Sequence, residues 1–451
     1  MPATRCAPAL GASILPRPGQ VGVSMSPSSG LRFIYAAFAL VFSLGAAAGA
    51  PARTLIIAGK LFDARAGKLL EQQTIVIEND RIVAVGARPA AQSGETVIDL
   101  SHAFVLPGLI DAHTHLTGEP RFGYEELGIS NPRAALTGAK NARITLLAGF
   151  TSVRDVGAPG YADVALRDAI DAGDVPGPHM IVSGPALSIT GGHCDNTLLP
   201  FEYHAVSDGV ADGVEGVQRR VREVIKYGAS VIKICATGGV LSKGDDPQAS
   251  QYTLEEMKAI VADAHRLGRK VAAHAHGGEG IVWASEAGVD SIEHGSYIDE
   301  RGIATLKKNG TFMVPTIYLN NWLIENMDRI GMPAFYRDKE IAVAKVSFTN
   351  MSNAIRKGVR VAFGTDAAVY PHGLNARQFA LYVQMGMTPA QAIQSATVNA
   401  AELLGWQDLT GAIEPGKWAD IIAVRADPLA DVGALEQVSF VMKSGAVYRN
   451  D

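Results

Sequence analysis

The sequence predicts an α/β protein: a (β/α)8 TIM-like barrel with a small β-sandwich domain built from both chain ends. In the middle of the chain, short apolar runs alternate with longer helical patterns, which is typical of βα units around a parallel sheet. Both ends instead carry short strand-like runs separated by Gly, Asn and Asp. Hydrophobic residues make up 47% of the 451-residue chain, enough to fill a large core.

The barrel prediction depends on eight apolar runs, the number of strands that a barrel of this kind requires. We predict the strands at residues 105–115, 151–156, 180–190, 230–236, 270–276, 291–294, 311–318 and 359–366. Helical patterns include residues 215–227, 253–267, 338–356 and 388–404. Thr253 with Glu256 three residues on, and Thr388 before Pro389, are typical residues of a helix N-terminus.

The two chain ends are predicted to complete one accessory domain. Strand-like runs lie at residues 54–58, 74–77, 82–85, 418–424 and 438–445. We therefore divide the chain into a signal peptide with an upstream extension (residues 1–50), a β-sandwich (51–106 and 408–451) and the barrel (107–407).

An apolar run at residues 33–44, preceded by Arg32 and followed by small residues up to Ala50, is typical of a signal peptide. We expect cleavage near Ala48 or Ala50, and Met25 is an alternative start of the chain. An uncleaved membrane anchor needs about 20 apolar residues, a length this segment approaches only with its small-residue tail. We therefore expect an exported protein, periplasmic or secreted, that meets the membrane only through this transient segment.

The charge balance favours a small-molecule substrate. The formal net charge is -5, and Lys and Arg form no cluster beyond short pairs, so no nucleic-acid surface is expected. We expect the protein to be a homo-oligomer.

The three cysteines do not suggest a disulfide framework. Cys6 would leave with the signal segment, and Cys194 and Cys235 fall on stretches assigned to neighbouring barrel strands. Two cysteines at inner-barrel positions are more often small buried apolar residues, so we predict no role for them.

Active-site groups of such a barrel lie at the C-terminal ends of its strands, and here those ends are polar. His113 and His115 close the first run at positions i and i+2, so both face the same side of a strand. The other strand ends supply Lys233, His274, His276, His294 and Asp366. One buried histidine is usually a packing residue, but this many potential ligands at separate strand ends indicate a metal site.

Lys233 lies between apolar residues in a strand that should be buried. Burial disfavours the ammonium form of lysine. A neutral lysine can combine with carbon dioxide to give N6-carboxylysine, a carbamate able to bridge two cations. Imidazole with carboxylate or carbamate suits zinc and also accommodates manganese, iron or cobalt. We therefore expect two divalent metal ions, with Zn²⁺ as the default.

Further motifs surround these residues. They are PGLIDAHTH at 107–115, GFTSVRD at 149–155, GGH at 191–193, ATGG at 236–239, HAHG at 274–277, IEHG at 292–295, GTDA at 364–367, TVNAA at 397–401 and GAIEPGKWAD at 411–420. Together they resemble the amidohydrolase superfamily, in particular its prolidase-like branch of metal-dependent dipeptidases and carboxypeptidases. That branch is related to imidazolonepropionases and to ochratoxin-degrading amidohydrolases.

The resemblance implies a role for each candidate ligand. It implies that one ion is held by His113, His115 and Asp366, that the other is held by His274 and His294, and that carboxylated Lys233 bridges them. Metal-bound hydroxide would then cleave an amide bond. Asp366, Lys233 and His276 are the candidate catalytic residues, with Asp366 as both ligand and acid/base.

Three residues are candidates for substrate binding. His193 follows a glycine turn at the end of the third run, where the backbone can approach a ligand. His276 shares the strand face of His274 and is either a packing residue or a hydrogen-bond donor to the substrate. Tyr252 lies on a predicted strand-to-helix loop, where specificity usually resides.

Three functions remain open from the sequence. The first is hydrolysis of the amide bond of a dipeptide of the Xaa-Pro, Xaa-Arg or Xaa-Lys type, or of an N-acyl amino acid of the ochratoxin type. The second is cyclic-amide hydrolysis of the imidazolonepropionase type, whose members resemble mononuclear enzymes without this lysine. The third is a metal-free barrel that acts as a binding protein. We predict the first, because Lys233 is present and no ligand of the set is missing.

Overall fold

The computed structural model describes residues 53–90 and 94–451. The predicted signal peptide and upstream extension lie outside the described residues, so cleavage and export stay predictions. Within the described ranges, no helix combines the length and the apolar character needed to cross a membrane.

The described chain alternates strands and helices as the sequence predicts. Its strands are β1 (Arg53–Asp63), β2 (Lys68–Glu78), β3 (Arg81–Gly86), β4 (Thr96–Pro107), β5 (Leu109–Thr114), β6 (Phe150–Asp155), β7 (His179–Val182), β8 (Val231–Cys235), β9 (Lys270–Ala275), β10 (Ser291–His294), β11 (Phe312–Val314), β12 (Ile421–Val424), β13 (Val438–Lys443) and β14 (Ala446–Asn450). Its α-helices are α1 (Asn131–Leu147), α2 (Ala162–Asp171), α3 (Gly213–Lys226), α4 (Leu254–Arg266), α5 (Gly278–Ala287), α6 (Glu300–Asn309), α7 (Ile317–Asn326), α8 (Ala334–Arg356), α9 (Gln378–Gln384), α10 (Pro389–Ser395) and α11 (Val398–Leu404).

Strands from both chain ends form one sheet in the order β14-β13-β12-β4-β1-β2-β3. In it β1 and β4 run parallel, and the other neighbours are antiparallel. Apolar side chains from both halves bury one common core, including Ile56 of β1, Ile75 of β2 and Ile421 of β12. The two chain ends therefore share one hydrophobic core, which confirms the predicted accessory domain built from both ends. The domain limits themselves stay a prediction.

The barrel strands form two parallel sheets, β5-β6-β7 and β8-β9-β10-β11. Two backbone hydrogen bonds join the β7 segment to the β8 segment. The amide of Ser230 donates to the carbonyl of Val182, and the amide of Leu187 donates to the carbonyl of Lys233, each at 2.8 Å. The predicted α/β barrel class is thereby confirmed. The first predicted run is divided, since its beginning belongs to β4 and only Leu109–Thr114 forms the barrel strand.

Residues 359–366, predicted as the eighth strand, are not a regular strand. Single bridges join Val361 to β11 and Ala367, the residue after this segment, to β5. Amides of β5 and β11 donate to the carbonyls of Phe363 and Arg360, each at 2.8 Å. The extended conformation stops at Asp366, whose φ of 62° lies in the left-handed region. The segment thus occupies the eighth strand position without a continuous ladder.

Two helix N-termini have the predicted capping residues. Thr253 caps α4 and Thr388 caps α10, each in a reciprocal capping box. The single helix predicted over residues 388–404 is wrong, because it divides into α10 and α11 at Thr397. There φ and ψ are -130° and -98°, and the hydroxyl donates to the carbonyl of Ile393. A threonine that bonds back to the preceding turn competes with helix continuation.

The cysteine prediction is also wrong. Cys194 and Cys235 form a disulfide. Cys194 lies not on a barrel strand but in the long loop between β7 and α3, which folds back over the end of β8. The loop path brings together two residues that are 41 positions apart in the sequence.

Candidate metal centre

Seven potential ligands converge at the C-terminal ends of the barrel strands and line one cavity of about 490 Å³. They are His113, His115, Lys233, His274, His276, His294 and Asp366. The donor atoms of the histidines and Asp366 form two groups of three, in each of which all the atoms lie within 4.8 Å of one another, and Lys233 is the seventh residue. The structure therefore brings together every ligand that the sequence predicted.

The first group joins His113, His115 and Asp366. The Nε2 atoms of the two histidines lie 3.4 and 3.3 Å from Oδ1 of Asp366. The Nδ1–H of His115 donates to the carbonyl of Gly157 at 2.9 Å, which leaves Nε2 as the atom with a free lone pair. In this tautomer a neutral imidazole can bind a metal ion.

The orientation of His113 depends on a carboxylate that the sequence analysis did not single out. Nδ1 of His113 lies 2.8 Å from Oε2 of Glu293. An ionised carboxylate only accepts hydrogen bonds, so Nδ1–H is the donor and Nε2 faces the site. Partners of this kind fix the tautomer and raise the basicity of a ligating histidine.

Glu293 is itself held by a buried arginine. Nη2 of Arg154 lies 2.7 Å from Oε1 of Glu293, and both side chains are almost fully buried. Although burial acts to raise it, Arg154 and His113 lower the pKa of Glu293 to about 2. Arg154 also donates to the carbonyl of Ala112 and to Ser291 Oγ. Both residues lie at strand ends within the GFTSVRD and IEHG motifs, and that position was the signal that could have found them.

The second group joins His274, His276 and His294. The ring centroid of His294 is 4.7 Å from that of His274 and 4.8 Å from that of His276. His274 donates from Nε2 to the carbonyl of Gly238 at 3.2 Å, so its Nδ1 carries the free lone pair. The geometry makes His276 a third potential ligand of this group, in addition to the packing and substrate-binding roles predicted for it.

Burial keeps this second group neutral. Burial, followed by the neighbouring histidines, holds the pKa of His274 and of His294 well below the ordinary value. Burial likewise lowers the pKa of His276 to about 3. Metal ions bind neutral imidazole, so the same environment that excludes protons prepares these side chains as ligands.

In the first group, the pKa shifts favour the charged forms of Asp366 and His115. Although burial acts to raise it, His113 and His115 lower the pKa of Asp366 well below its usual value. Burial also opposes charging of His115, but the hydrogen bond to Asp366 raises the pKa of His115. Asp366 is therefore a carboxylate at neutral pH.

Lys233 faces the cavity from β8 and is only 3% exposed. Burial lowers the pKa of its ammonium group to about 8. A fraction of the side chain is thus neutral near pH 8, the form that reacts with carbon dioxide.

Two of the potential ligands have unusual backbone conformations. The φ angles of His294 and Asp366 are 69° and 62°, in the left-handed region that non-glycine residues rarely adopt. Such strain costs about 1–3 kcal/mol and persists where the surrounding structure holds it, often at functional sites.

The other predicted substrate residues differ in position. His193 lines the cavity, stacks on His274 with ring centroids 4.2 Å apart, and bonds through Nδ1 to Ser242 Oγ at 2.8 Å. Tyr252 is fully buried in the core, and its hydroxyl donates to the carbonyl of Ala211. Because Tyr252 does not line the cavity, its position does not support the predicted substrate contact. The same loop reaches the cavity through Val240 and Leu241, whereas its Tyr252 end turns into the core.

A parallel barrel with clustered imidazole, carboxylate and lysine groups at its strand ends defines a class of protein, the metal-dependent hydrolases. The profile of the amidohydrolase family matches residues 104–448. Ochratoxinase from Aspergillus niger is 36% identical over 423 residues, covering 88% of this chain and 86% of the relative. The chain therefore belongs to the amidohydrolase family, and it is a hydrolase that acts on amide bonds.

Two further comparisons place the chain within this family. A solved Xaa-Pro dipeptidase with methionine bound in its active site matches with a TM-score of 0.84 and 38% identity, over 88% of this chain and all of the other. Imidazolonepropionase from Fusobacterium nucleatum subsp. nucleatum is 26% identical over 388 residues, or 79% of this chain and 86% of the relative. The predicted resemblance to the amidohydrolase superfamily is confirmed.

Replacing Glu293 by Gln tests the support of His113. The substitution leaves the Arg154 charge buried without its partner, which should lower the free energy of unfolding by about 3–5 kcal/mol. Loss of the anionic acceptor should also weaken metal binding by roughly ten- to a hundredfold. Denaturant unfolding and competition with a chelator measure the two effects.

Glu286→Gln, which neutralises an exposed glutamate on α5, is the matched control and should change neither quantity. Wild-type stability and metal affinity in Glu293→Gln would show that the ion pair does not hold the site.

Proposed function

We propose that the protein is a binuclear metal-dependent amidohydrolase that cleaves the amide bond of a dipeptide or an N-acyl amino acid. One observation carries the proposal: two groups of potential ligands and a buried lysine face a single cavity. The names of two similar proteins, ochratoxinase and a Xaa-Pro dipeptidase, support this choice of substrate.

The residues present fit two divalent ions. His113, His115 and Asp366 would hold one ion, His274 and His294 the other, and carboxylated Lys233 would bridge them. The free lone pairs on Nε2 of His115 and Nδ1 of His274 support this assignment, because each follows from the hydrogen bond on the opposite ring nitrogen. When bound, the two ions lower the pKa of a water molecule and polarise the scissile carbonyl. Zn²⁺ is the proposed metal, given these ligand types.

Asp366 is the proposed acid/base. As an ionised carboxylate it accepts a proton from the attacking water. It then returns this proton to the nitrogen of the leaving amine, so the amide C–N bond breaks with a neutral amine as product. His113 and His115 keep Asp366 ionised in the resting site.

The substrate carboxylate is proposed to bind near His193 and His276. Both line the cavity, and both have Nδ1 engaged by a serine hydroxyl, at 2.8 Å for Ser242 and 2.7 Å for Ser296. When these serines accept from Nδ1–H, each ring offers Nε2 to the cavity as an acceptor. The flipped tautomer donates from Nε2 to a substrate carboxylate instead. At His193 this tautomer requires the Ser242 hydroxyl, which donates to Asp245 Oδ1 at 2.7 Å, to turn to Nδ1.

The imidazolonepropionase-type reaction is the less favoured alternative. The imidazolonepropionase from Fusobacterium nucleatum shares 26% identity with this chain, against 36% for ochratoxinase. Lys233 also argues against this reaction, because imidazolonepropionases resemble mononuclear enzymes without this lysine.

The metal content of the purified protein is the first test. Protein never exposed to a chelator should carry close to two divalent ions per chain by elemental analysis. Lys233→Ala should remove the bridge, lower the metal content and abolish most activity. Acetate should restore part of that activity, because a small carboxylate can occupy the space that the lysine vacates.

Lys443→Ala removes another buried lysine, in β13 of the accessory sheet, and should leave metal content and activity unchanged. Full activity with two ions in Lys233→Ala would rule out the carbamate bridge.

Substrate orientation is the second test. His276→Ala and His193→Ala should each lower kcat/KM for carboxylate-bearing substrates by about ten- to over a hundredfold, the effect of losing a hydrogen bond to a charged group. The matching C-terminal amides should be less affected. Rates on each acid and amide pair give the comparison, and His265→Ala, an exposed histidine on α4, is the control.

Metal analysis of the same variants separates the two roles of His276. A lower metal content in His276→Ala would make it a ligand. Equal losses on acids and amides in both variants would mean that neither histidine reads the carboxylate.

A further inference from the structure

Glu340 is a buried carboxyl group that the reaction described above does not use. It lies on α8, is fully buried, and lines the same cavity as the potential metal ligands. Among the described residues, neither of its carboxyl oxygens has a hydrogen-bond partner. A buried carboxyl group without a hydrogen-bond partner lowers the stability of the fold, so its presence calls for an explanation.

Within residues 53–90 and 94–451, no cationic side chain pairs with Glu340. The neighbouring Lys339 turns away and donates to the carbonyls of Gly239 and Ser242 and to the carboxylate of Asp245. Burial, with a contribution from Asp366, raises the pKa of Glu340 to about 8. Without a nearby cation Glu340 is therefore protonated at neutral pH, and a cation that comes from outside the protein would favour its ionised form.

A second polar group without a partner lies on the adjacent helix. Asn320 of α7 also lines the cavity, and its Nδ2 is buried with no acceptor among the described residues. Around these two groups the cavity wall is apolar, with Leu319, Leu323 and Val343 among its lining residues. The wall thus offers one acceptor and one donor in an otherwise hydrophobic surface.

The two helices are fixed to the metal centre. Thr316, at the start of α7, bonds through Oγ1 to Nδ1 of His294 at 2.7 Å. Asn350 of α8 donates to the carbonyl of Ser296, whose hydroxyl bonds to His276. Glu340 and Asn320 are therefore held on rigid elements tied to the site, and not on a loose loop.

We propose that Glu340 and Asn320 form the subsite for the acyl half of the substrate, with Glu340 binding a free α-ammonium group. The proposal rests on the amide-hydrolase function above and selects dipeptides over N-acyl amino acids. In an amino-terminal residue the ammonium group and the scissile carbonyl are attached to the same Cα, so one residue supplies a donor for Glu340 and an acceptor for Asn320.

The test compares two substrates that differ in one group. One is a dipeptide with a free α-amino group, and the other is the same compound with that group replaced by hydrogen. The wild-type enzyme should favour the amino compound in kcat/KM by about ten- to a hundredfold, the usual effect of a hydrogen bond to a charged group. Glu340→Gln, which keeps the shape, should bring the ratio close to one by slowing only the amino compound.

Two other variants complete the design. Asp338→Asn neutralises an exposed carboxylate on the same helix and should keep the wild-type ratio. Asn320→Ala should slow both compounds to a similar extent, because the carbonyl that it contacts is present in both. Metal content should remain that of the wild type in Glu340→Gln.

The outcomes separate the subsite from the function on which it rests. Equal rates for the two compounds in the wild type, or a preference for the compound without the amino group, would overturn the subsite while amide hydrolysis stands. An equal loss on both compounds in Glu340→Gln would overturn it too. Hydrolysis of neither compound, nor of any other amide offered, would instead reject the proposed function and the subsite with it. The wild-type ratio alone decides the matter if Glu340→Gln does not fold.

Discussion

A buried ion pair between Arg154 and Glu293 connects three barrel strands beneath the cavity. Arg154 comes from β6, donates to the carbonyl of Ala112 in β5 and meets Glu293 in β10. Removing two charges from water costs several kcal/mol per ion, so such a pair persists only when its hydrogen bonds are well satisfied. Here Glu293 also accepts from His113, and the ion pair thereby orients a candidate ligand.

The rest of the site follows from burial. Neutral imidazoles, a lysine of lowered pKa and one carboxylate are gathered around one cavity. Such a cluster has little value as packing, because each polar group loses hydration on burial. Binding of divalent cations would offset that loss. The left-handed backbone at His294 and Asp366 is a second unfavourable contribution to the folding free energy at this site.

The sequence predicted what strand periodicity and motif spacing control. His113 and His115 lie two residues apart, and parallel strands end at one edge, so their proximity to Asp366 could be foreseen. The disulfide of Cys194 and the inward position of Tyr252 could not, because both depend on the path of a long loop. Glu340 was missed although it occupies a buried position of α8 in register with apolar Val343 and Met351, and a glutamate on that stripe is the signal that was overlooked.

A crystal structure of the metal-loaded protein, with anomalous data collected at the absorption edge of the bound metal, is the most direct test of the binuclear centre. The account predicts two anomalous peaks, one beside His113, His115 and Asp366 and the other beside His274 and His294. Electron density for a carboxylated Lys233 should join them. A single peak, or an unmodified Lys233 that contacts neither metal, would contradict the account.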